Sequence, residues 1–218
     1  MRTAVVTGAS QGLGRYIANT FLRDGWHVVG TGRSPRPADL EDAIVYSRFD
    51  ASDAAACAAF WDDLTGTSNE GMCLVNNAGS YVASDGGLHE AKPEDFARQM
   101  QSVYFTSVYM TQGLVKAVSK AQIFNIISSS ALLHEPSELA YGSAKDAQRH
   151  FFQALQEAYK PEQYKITNLY PDYVATHSPN PDAMSADDLA AFIVELAGSK
   201  ASYYIRDVTI YPLKRDAQ

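Results

Sequence analysis

At 218 residues, with 46% hydrophobic and 20% charged side chains, residues 1–218 suit one domain with a sizeable core. A net charge of −7 without a Lys/Arg run argues against nucleic acid or an anionic membrane as the main partner. Two scattered cysteines, Cys57 and Cys73, fit a reducing cytoplasm, the five histidines lack ligand spacing for a metal, and no apolar run is long enough to cross a bilayer.

The N-terminal residues run straight into a strand over 3–7, with no signal peptide expected. The turn Gly8-Ala9-Ser10-Gln11-Gly12-Leu13-Gly14 follows, then an amphipathic helix over 13–23 stopped by Gly25 and a strand over 27–31. A glycine-rich turn between a first strand and its helix admits the pyrophosphate of a dinucleotide, because glycine permits close backbone approach and the helix N-terminus favours an anion. At the end of the second strand an acidic residue would bind the ribose of NAD, and an Arg would accept the 2′-phosphate of NADP. Arg33 stands there, with Arg36 nearby and no acidic residue between Trp26 and Ala38. NADP(H) is therefore the preferred cofactor, with NAD(H) possible. Arg36 has a solvated-surface reading as a serious competitor, and Arg33 has the same reading as a lesser one.

Residues 44–49 read as a third strand, and Asp53 as the N-cap of a helix running to residue 64. A polar loop over 65–71 leads to a fully apolar strand over 72–75, as a buried parallel strand requires. The apolar spacing of Phe96, Met100, Val103, Met110 and Leu114 predicts one long helix over 93–117. A fifth strand over 123–127 ends in Ser128-Ser129-Ser130. A helix over 139–159, a sixth strand over 165–170, a helix capped by Ser185 with Asp188 three residues on, and a seventh strand near 203–210 complete the chain. This alternation predicts an α/β, doubly wound, seven-stranded parallel sheet with helices on both faces.

Tyr141 and Lys145 lie four residues apart, one turn along one helix face. An ammonium about 5 Å from a phenol, at an effective dielectric of about 20, stabilises the phenolate by roughly 3 kcal/mol. That predicts a Tyr141 pKa about two units below 10, suited to proton exchange near neutrality. The pair alone is weak evidence, since 13 tyrosines supply chance matches.

Together these residues resemble the short-chain dehydrogenase/reductase family, over residues 7–176. Thr7 to Gly14 is similar to its Thr-Gly-x-x-x-Gly-x-Gly cofactor turn, and Asn76-Asn77-Ala78-Gly79 to its Asn-Asn-Ala-Gly element. Ser128 stands thirteen residues before Tyr141, the family spacing of a catalytic Ser. Pro171-Asp172-Tyr173-Val174-Ala175-Thr176 resembles Pro-Gly-x-Val-x-Thr. The resemblance implies a Rossmann fold and an NAD(P)-dependent carbonyl/alcohol oxidoreductase with a small-molecule substrate. Tyr141 would be its general acid/base. Lys145 would hold the nicotinamide ribose and lower the Tyr141 pKa. Ser128 would bind the substrate oxygen, with Ser129 or Ser130 left open by one register. Gly8, Ser10, Gln11, Gly12, Leu13, Gly14, Arg33, Asp50, Asn77, Ala78, Gly79, Tyr141, Lys145, Pro171, Val174 and Thr176 would contact the cofactor. The same resemblance implies a homodimer or homotetramer paired through the helices over 93–117 and 139–159.

The chain departs from the family pattern at three places. Val103 stands where the family has an Asn that holds a proton-relay water, so Ser102 or a rearranged water substitutes or the relay is impaired. Asp172 replaces a Gly, and either favours the oxidised nicotinamide ring or turns to solvent. The stretch between Thr176 and Ser185 is a short lid, suiting an open site. Tyr81, Leu132, His134 and Tyr173 are candidate substrate-wall residues. A cofactor-binding sensor with vestigial catalysis is the alternative reading; a dehydratase or epimerase is a third.

Overall fold

The computed structural model describes residues 2–65, 71–81, 88–176 and 180–213. Its elements are β1 (Thr3–Thr7), α1 (Gly12–Arg23), β2 (His27–Gly32), β3 (Val45–Arg48), α2 (Ala54–Thr65), β4 (Met72–Asn76), α3 (Pro93–Gln99), a π-helical segment (Met100–Phe105), α4 (Thr106–Ala117), β5 (Ala121–Ile126), α5 (Ser130–Leu133), a 3₁₀ turn (Pro136–Glu138), α6 (Leu139–Ala158), β6 (Tyr164–Pro171), β7 (Val174–Ala175), β8 (Met184–Ser185), α7 (Ala186–Gly198) and β9 (Asp207–Ile210).

Seven parallel strands form one sheet in the order β3-β2-β1-β4-β5-β6-β9. β7 and β8 pair separately beside the site. Strand residues alternate between two cores. Ala4, Val6, Cys73, Val75 and Phe124 face α1 and α7 through Ile17, Phe21, Leu189 and Ile193. Val5, Leu74 and Ile123 face the other way, onto Trp61 of α2, Met110 and Leu114 of α4 and Phe152 of α6. Both faces are thus covered, which is why the central strands read as unbroken apolar runs. Cys57 and Cys73 are buried and free, and burial pushes the Cys57 thiol up to about 12.

The caps at Asp53 and Ser185 form as their sequences predict: Asp53 Oδ1 accepts from Ala55 N at 2.8 Å, and Ser185 Oγ accepts from Asp188 N at 3.4 Å. The expected continuous helix over 93–117 is instead broken by the π-helical segment. Inserting a wider turn rotates the faces out of phase. Gln99, not Phe96 or Met100, is then fully buried on the first half, while Val103, Met110 and Leu114 are buried beyond it. The same segment carries Gln101 and Ser102 to the cavity described below, and Thr106 follows them at the start of α4.

A chain of amides crosses the sheet at one register. Asn76 pairs with Asn125, Asn125 with Asn168, and Asn168 with Asp207. Asn76 Nδ2 donates to Asn125 Oδ1 at 2.9 Å, Asn125 Nδ2 to Asn168 Oδ1 at 2.9 Å, and Asn168 Nδ2 to Asp207 Oδ1 at 3.1 Å. Asn76 also reaches Thr111 Oγ1 of α4 at 2.9 Å. The three Asn residues are almost wholly buried, so each amide depends on its neighbours. Asn125→Leu removes the middle link and strands a donor and an acceptor. It should destabilise the protein by about 2–5 kcal/mol in urea unfolding. A loss below about 0.5 kcal/mol, the scale of an indifferent surface change, would show that the ladder is dispensable.

Candidate active site

The cavity begins where β1 ends. Thr7 Oγ1 donates to Val75 O at 3.2 Å and accepts from the backbone N–H groups of Asn77 and Ala78, each at 2.9 Å. Asn77 Nδ2 returns a bond to Thr7 O at 3.0 Å. One hydroxyl therefore joins the glycine turn to the Asn76–Gly79 element across adjacent strand ends. Gly8 and Gly12 take φ of 70° and 55°, and a Cβ on Gly14 would lie 2.3 Å from Gly8 O. Gly14 thus seats α1 against the turn. The N-cap Gln11 makes no side-chain cap bond and the first turn of α1 holds no acidic residue, so its N–H groups remain available to an anion.

A cavity of about 1070 Å³ runs from this turn past β2 to the end of β5 and the start of α6. Gly8, Ser10, Gln11, Gly12, Leu13, Arg33, Asp50, Asn77, Ala78, Gly79, Ser128, Tyr141, Lys145, Pro171, Val174 and Thr176 all line it; Gly14 lies behind the turn. Tyr81 and Tyr173 line it too, whereas Leu132 and His134 are exposed and do not. Residues 177–179 of the expected lid and 66–70 of the expected polar loop lie outside the described residues.

At the β2 end, Arg33 lines the cavity and Arg48 Nε donates to Arg33 O at 3.0 Å. Burial pushes the Asp50 carboxyl up, but bonds from the Ser52 backbone and hydroxyl, with the nearby Arg33 charge, hold it below the usual carboxylate range. Arg36 is exposed and is not among the residues lining the cavity. Its guanidinium donates to Ile44 O, Leu40 O and Glu41 O at 2.7, 3.2 and 2.8 Å, closing the loop before β3.

At the other end the three serines have different partners. Ser128 is near enough to Tyr141 to lower its pKa, and Ser130 braces Ser128 with Oγ atoms 2.9 Å apart. Ser129 instead donates to Asp172 Oδ1 at 2.8 Å. Asp172 is thereby turned inward rather than to solvent. Val103 is fully buried, 3.2 Å from where a Gly79 Cβ would stand, and Ser102 Oγ lies 2.9 Å from Ser80 Oγ.

Lys145 Nζ lies 5.6 Å from the centroid of the Tyr141 ring. Its partners are Ile126 O at 2.7 Å and Gln148 Oε1 at 3.2 Å. The expectation of an acidified Tyr141 is not met in this structure. Burial pushes the phenol up from its ordinary 10.0; Ser128 opposes this, while Glu138 and Tyr81 add to it. Desolvation disfavours the charged form of both groups and outweighs their pairwise attraction. For Lys145 burial lowers the pKa from 10.5 to about 7.

A lysine that titrates lower in the folded state than in the unfolded one makes stability rise with pH. Its burial penalty is fully present below pH 7 and lifts as pH climbs toward 10.5. Lys145→Met should therefore gain stability relative to the wild type most clearly near pH 6. Between about pH 7 and 9 that advantage should shrink by about 1 kcal/mol per pH unit. A difference that stays flat across urea titrations at several pH values would contradict a buried titrating amine.

Among the described residues there is no cluster of His, Cys, Asp and Glu able to hold a metal ion, and no helix long and apolar enough to cross a membrane. Residues 2–184 match the family model described as short chain dehydrogenase. The NADP-dependent (R)-specific alcohol dehydrogenase of Lentilactobacillus kefiri is 29% identical over 193 residues, covering 80% of this chain and 74% of that protein. The NADPH-dependent 3-dehydrocapnine reductase of Ornithobacterium rhinotracheale is 30% identical over 170 residues, covering 72% and 59%. Dehydrogenase/reductase SDR family member 7B of Bos taurus is 26% identical over 190 residues, and the chain spans only 58% of its length. The fold is shared with serine dehydrogenase from Escherichia coli, at TM-score 0.86 and 23% identity over 99% of this chain and 100% of that one. It is shared equally with an alcohol dehydrogenase from Thermococcus sibiricus complexed with 5-hydroxy-NADP, at TM-score 0.88 and 20% identity over 100% and 99%. The chain belongs to the short-chain dehydrogenase family.

Proposed function

We propose that this chain binds NADP(H) and reduces a small carbonyl compound, or oxidises the corresponding alcohol, with Tyr141 as general acid/base. The observation that carries this reading is the continuity of one cavity from the glycine turn and the uncapped start of α1 to Ser128, Tyr141 and Lys145. The residues fit a dinucleotide: glycines at positive φ at Gly8 and Gly12 and first-turn N–H groups without a side-chain cap for phosphate, Asp50 and Arg33 at one end, and a buried amine at the other. A cofactor-binding sensor has no need of the hydroxyl–phenol–ammonium group at the far end.

Bound NADPH would supply the hydride. Ser128, held by Ser130, donates a hydrogen bond to the carbonyl oxygen and counters the charge that develops there. Tyr141 gives its proton to that oxygen. Burial keeps the phenol protonated at neutral pH, which suits it to the acid role of reduction. As the proton leaves, the Lys145 ammonium stabilises the phenolate. Tyr81, edge-to-face on the Tyr141 ring with centroids 5.1 Å apart, and Tyr173 form the aromatic side of the substrate mouth.

The preference for NADP(H) rests on Arg33, which lines the cavity at the end of β2, and it accords with the relatives named as NADP- or NADPH-dependent. α3–α4 and α6 are the proposed faces of a homodimer or homotetramer, on resemblance alone.

NADPH oxidation with a panel of aldehydes, ketones and quinones tests the reaction class. Tyr141→Phe should cut turnover by about 10²–10⁴-fold while NADPH affinity stays within about threefold. A variant as fast as the wild type would remove Tyr141 from the chemistry. Arg33→Ser should weaken NADPH by about 10–100-fold, the loss of one charge-assisted contact, and leave NADH nearly unchanged. Equal loss of both cofactors would refute a 2′-phosphate contact.

A further inference from the structure

Gln148 is one of three buried polar residues of α6, with Lys145 and Gln156, among the apolar Ala140, Ala144 and Phe152. It is 1% exposed and Lys145 4%. Among the described residues Lys145 has two hydrogen-bond partners: the fixed carbonyl Ile126 O at the end of β5, and Gln148 Oε1 one turn along its own helix. Neighbours on the π-helical segment give it no polar support. Val103 is apolar and packed beneath Gly79, and Ser102 is engaged with Ser80. A buried ammonium needs acceptors to remain charged.

We propose that Gln148 is the positioning residue for Lys145: its amide oxygen keeps the buried amine protonated and fixes it between the end of β5 and the Tyr141 ring. This inference rests on the role given to Lys145 above, but it is read in the protein without cofactor or substrate. Its failure would leave the proposed reaction standing.

Titratable and charged groups lie on α6 and on the other elements that share the cavity or the sheet with Lys145. On α6 they include Tyr141 and Asp146, the latter paired with Arg149 at 2.6 Å. Glu138 precedes α6, Tyr81 follows β4, Arg98 lies on α3 and Asp172 follows β6, all but Asp146 lining the same cavity. Tyr170 on β6 is tied to Asp207 at 2.7 Å. For Lys145 burial is the one resolved cause of its lowered pKa, so the acceptors that offset burial set where it titrates.

The test compares the full chain with Gln148→Met, which keeps length and volume but removes the acceptor, with Gln148→Leu and with Gln148→Glu. The Lys145 titration is followed by NMR of ¹³C-labelled lysine, assigned with Lys145→Arg. Gln148→Met should move the midpoint down by about one pH unit, and Gln148→Glu should move it up by at least as much. In the same variants the alkaline limit of NADPH binding, followed by fluorescence, should move with the midpoint. A merely structural role would lower melting temperature or overall affinity without displacing either curve. An unmoved midpoint in Gln148→Met overturns the proposal. If Gln148→Met does not fold, Gln148→Leu decides by the same criterion, and if neither folds, an unmoved midpoint in Gln148→Glu overturns it.

Discussion

The bond from Lys145 Nζ to Ile126 O, 2.7 Å long, ties the helix that bears the phenol to the strand that ends beside the serines. It is made by an amine that burial drives toward neutrality. A lysine retained at such a site is costly in isolation, because taking a charge from water is unfavourable unless acceptors replace the hydration shell. The sheet supplies one acceptor and Gln148 the other. The Tyr141 ring then lies alongside, with Ser128 nearby and Ser130 on the Ser128 hydroxyl. Positions in this group follow from the amine being pinned at both ends.

The rest of the sheet serves to bring a second feature to the same crevice. Parallel strands ending on one edge place the glycine turn after β1, the Asn76–Gly79 element after β4 and the serines after β5 side by side. Thr7 fastens the first two together through its single hydroxyl. Deeper in the sheet, the Asn76–Asn125–Asn168 ladder fixes the register of β4, β5 and β6, the strands whose ends carry the chemistry. A one-residue slip would turn every one of these side chains to the other face.

Strand and helix order was legible because buried parallel strands are short apolar runs and glycines mark the turns between them. The caps at Asp53 and Ser185 were legible as local patterns. What the sequence hid was nonlocal. Asn125 and Asn168 are ordinary asparagines until parallel pairing sets them opposite Asn76. The π-helical segment left no composition signal, and it overturned the face assigned to Phe96 and Met100. Arg36 is a surface residue, but the three carbonyls its guanidinium binds come from the loop before β3, which no local pattern shows. Tyr141 was expected to be acidified by its neighbour, but a pairwise Coulomb estimate contains no burial, and burial wins. Only its buried contact with Lys145 distinguishes Gln148 from a surface glutamine; the sequence signal is a polar residue three positions beyond Lys145, near Ala140 and Ala144 on the same helix.

A crystal structure with NADP⁺ bound tests the central claim most directly. The cavity geometry predicts density along the glycine turn, with phosphates at the start of α1, the 2′-phosphate against Arg33 and the nicotinamide ribose within hydrogen-bonding distance of Lys145 Nζ. A dinucleotide bound elsewhere, or one whose nicotinamide end lies away from Tyr141 and Lys145, would contradict it.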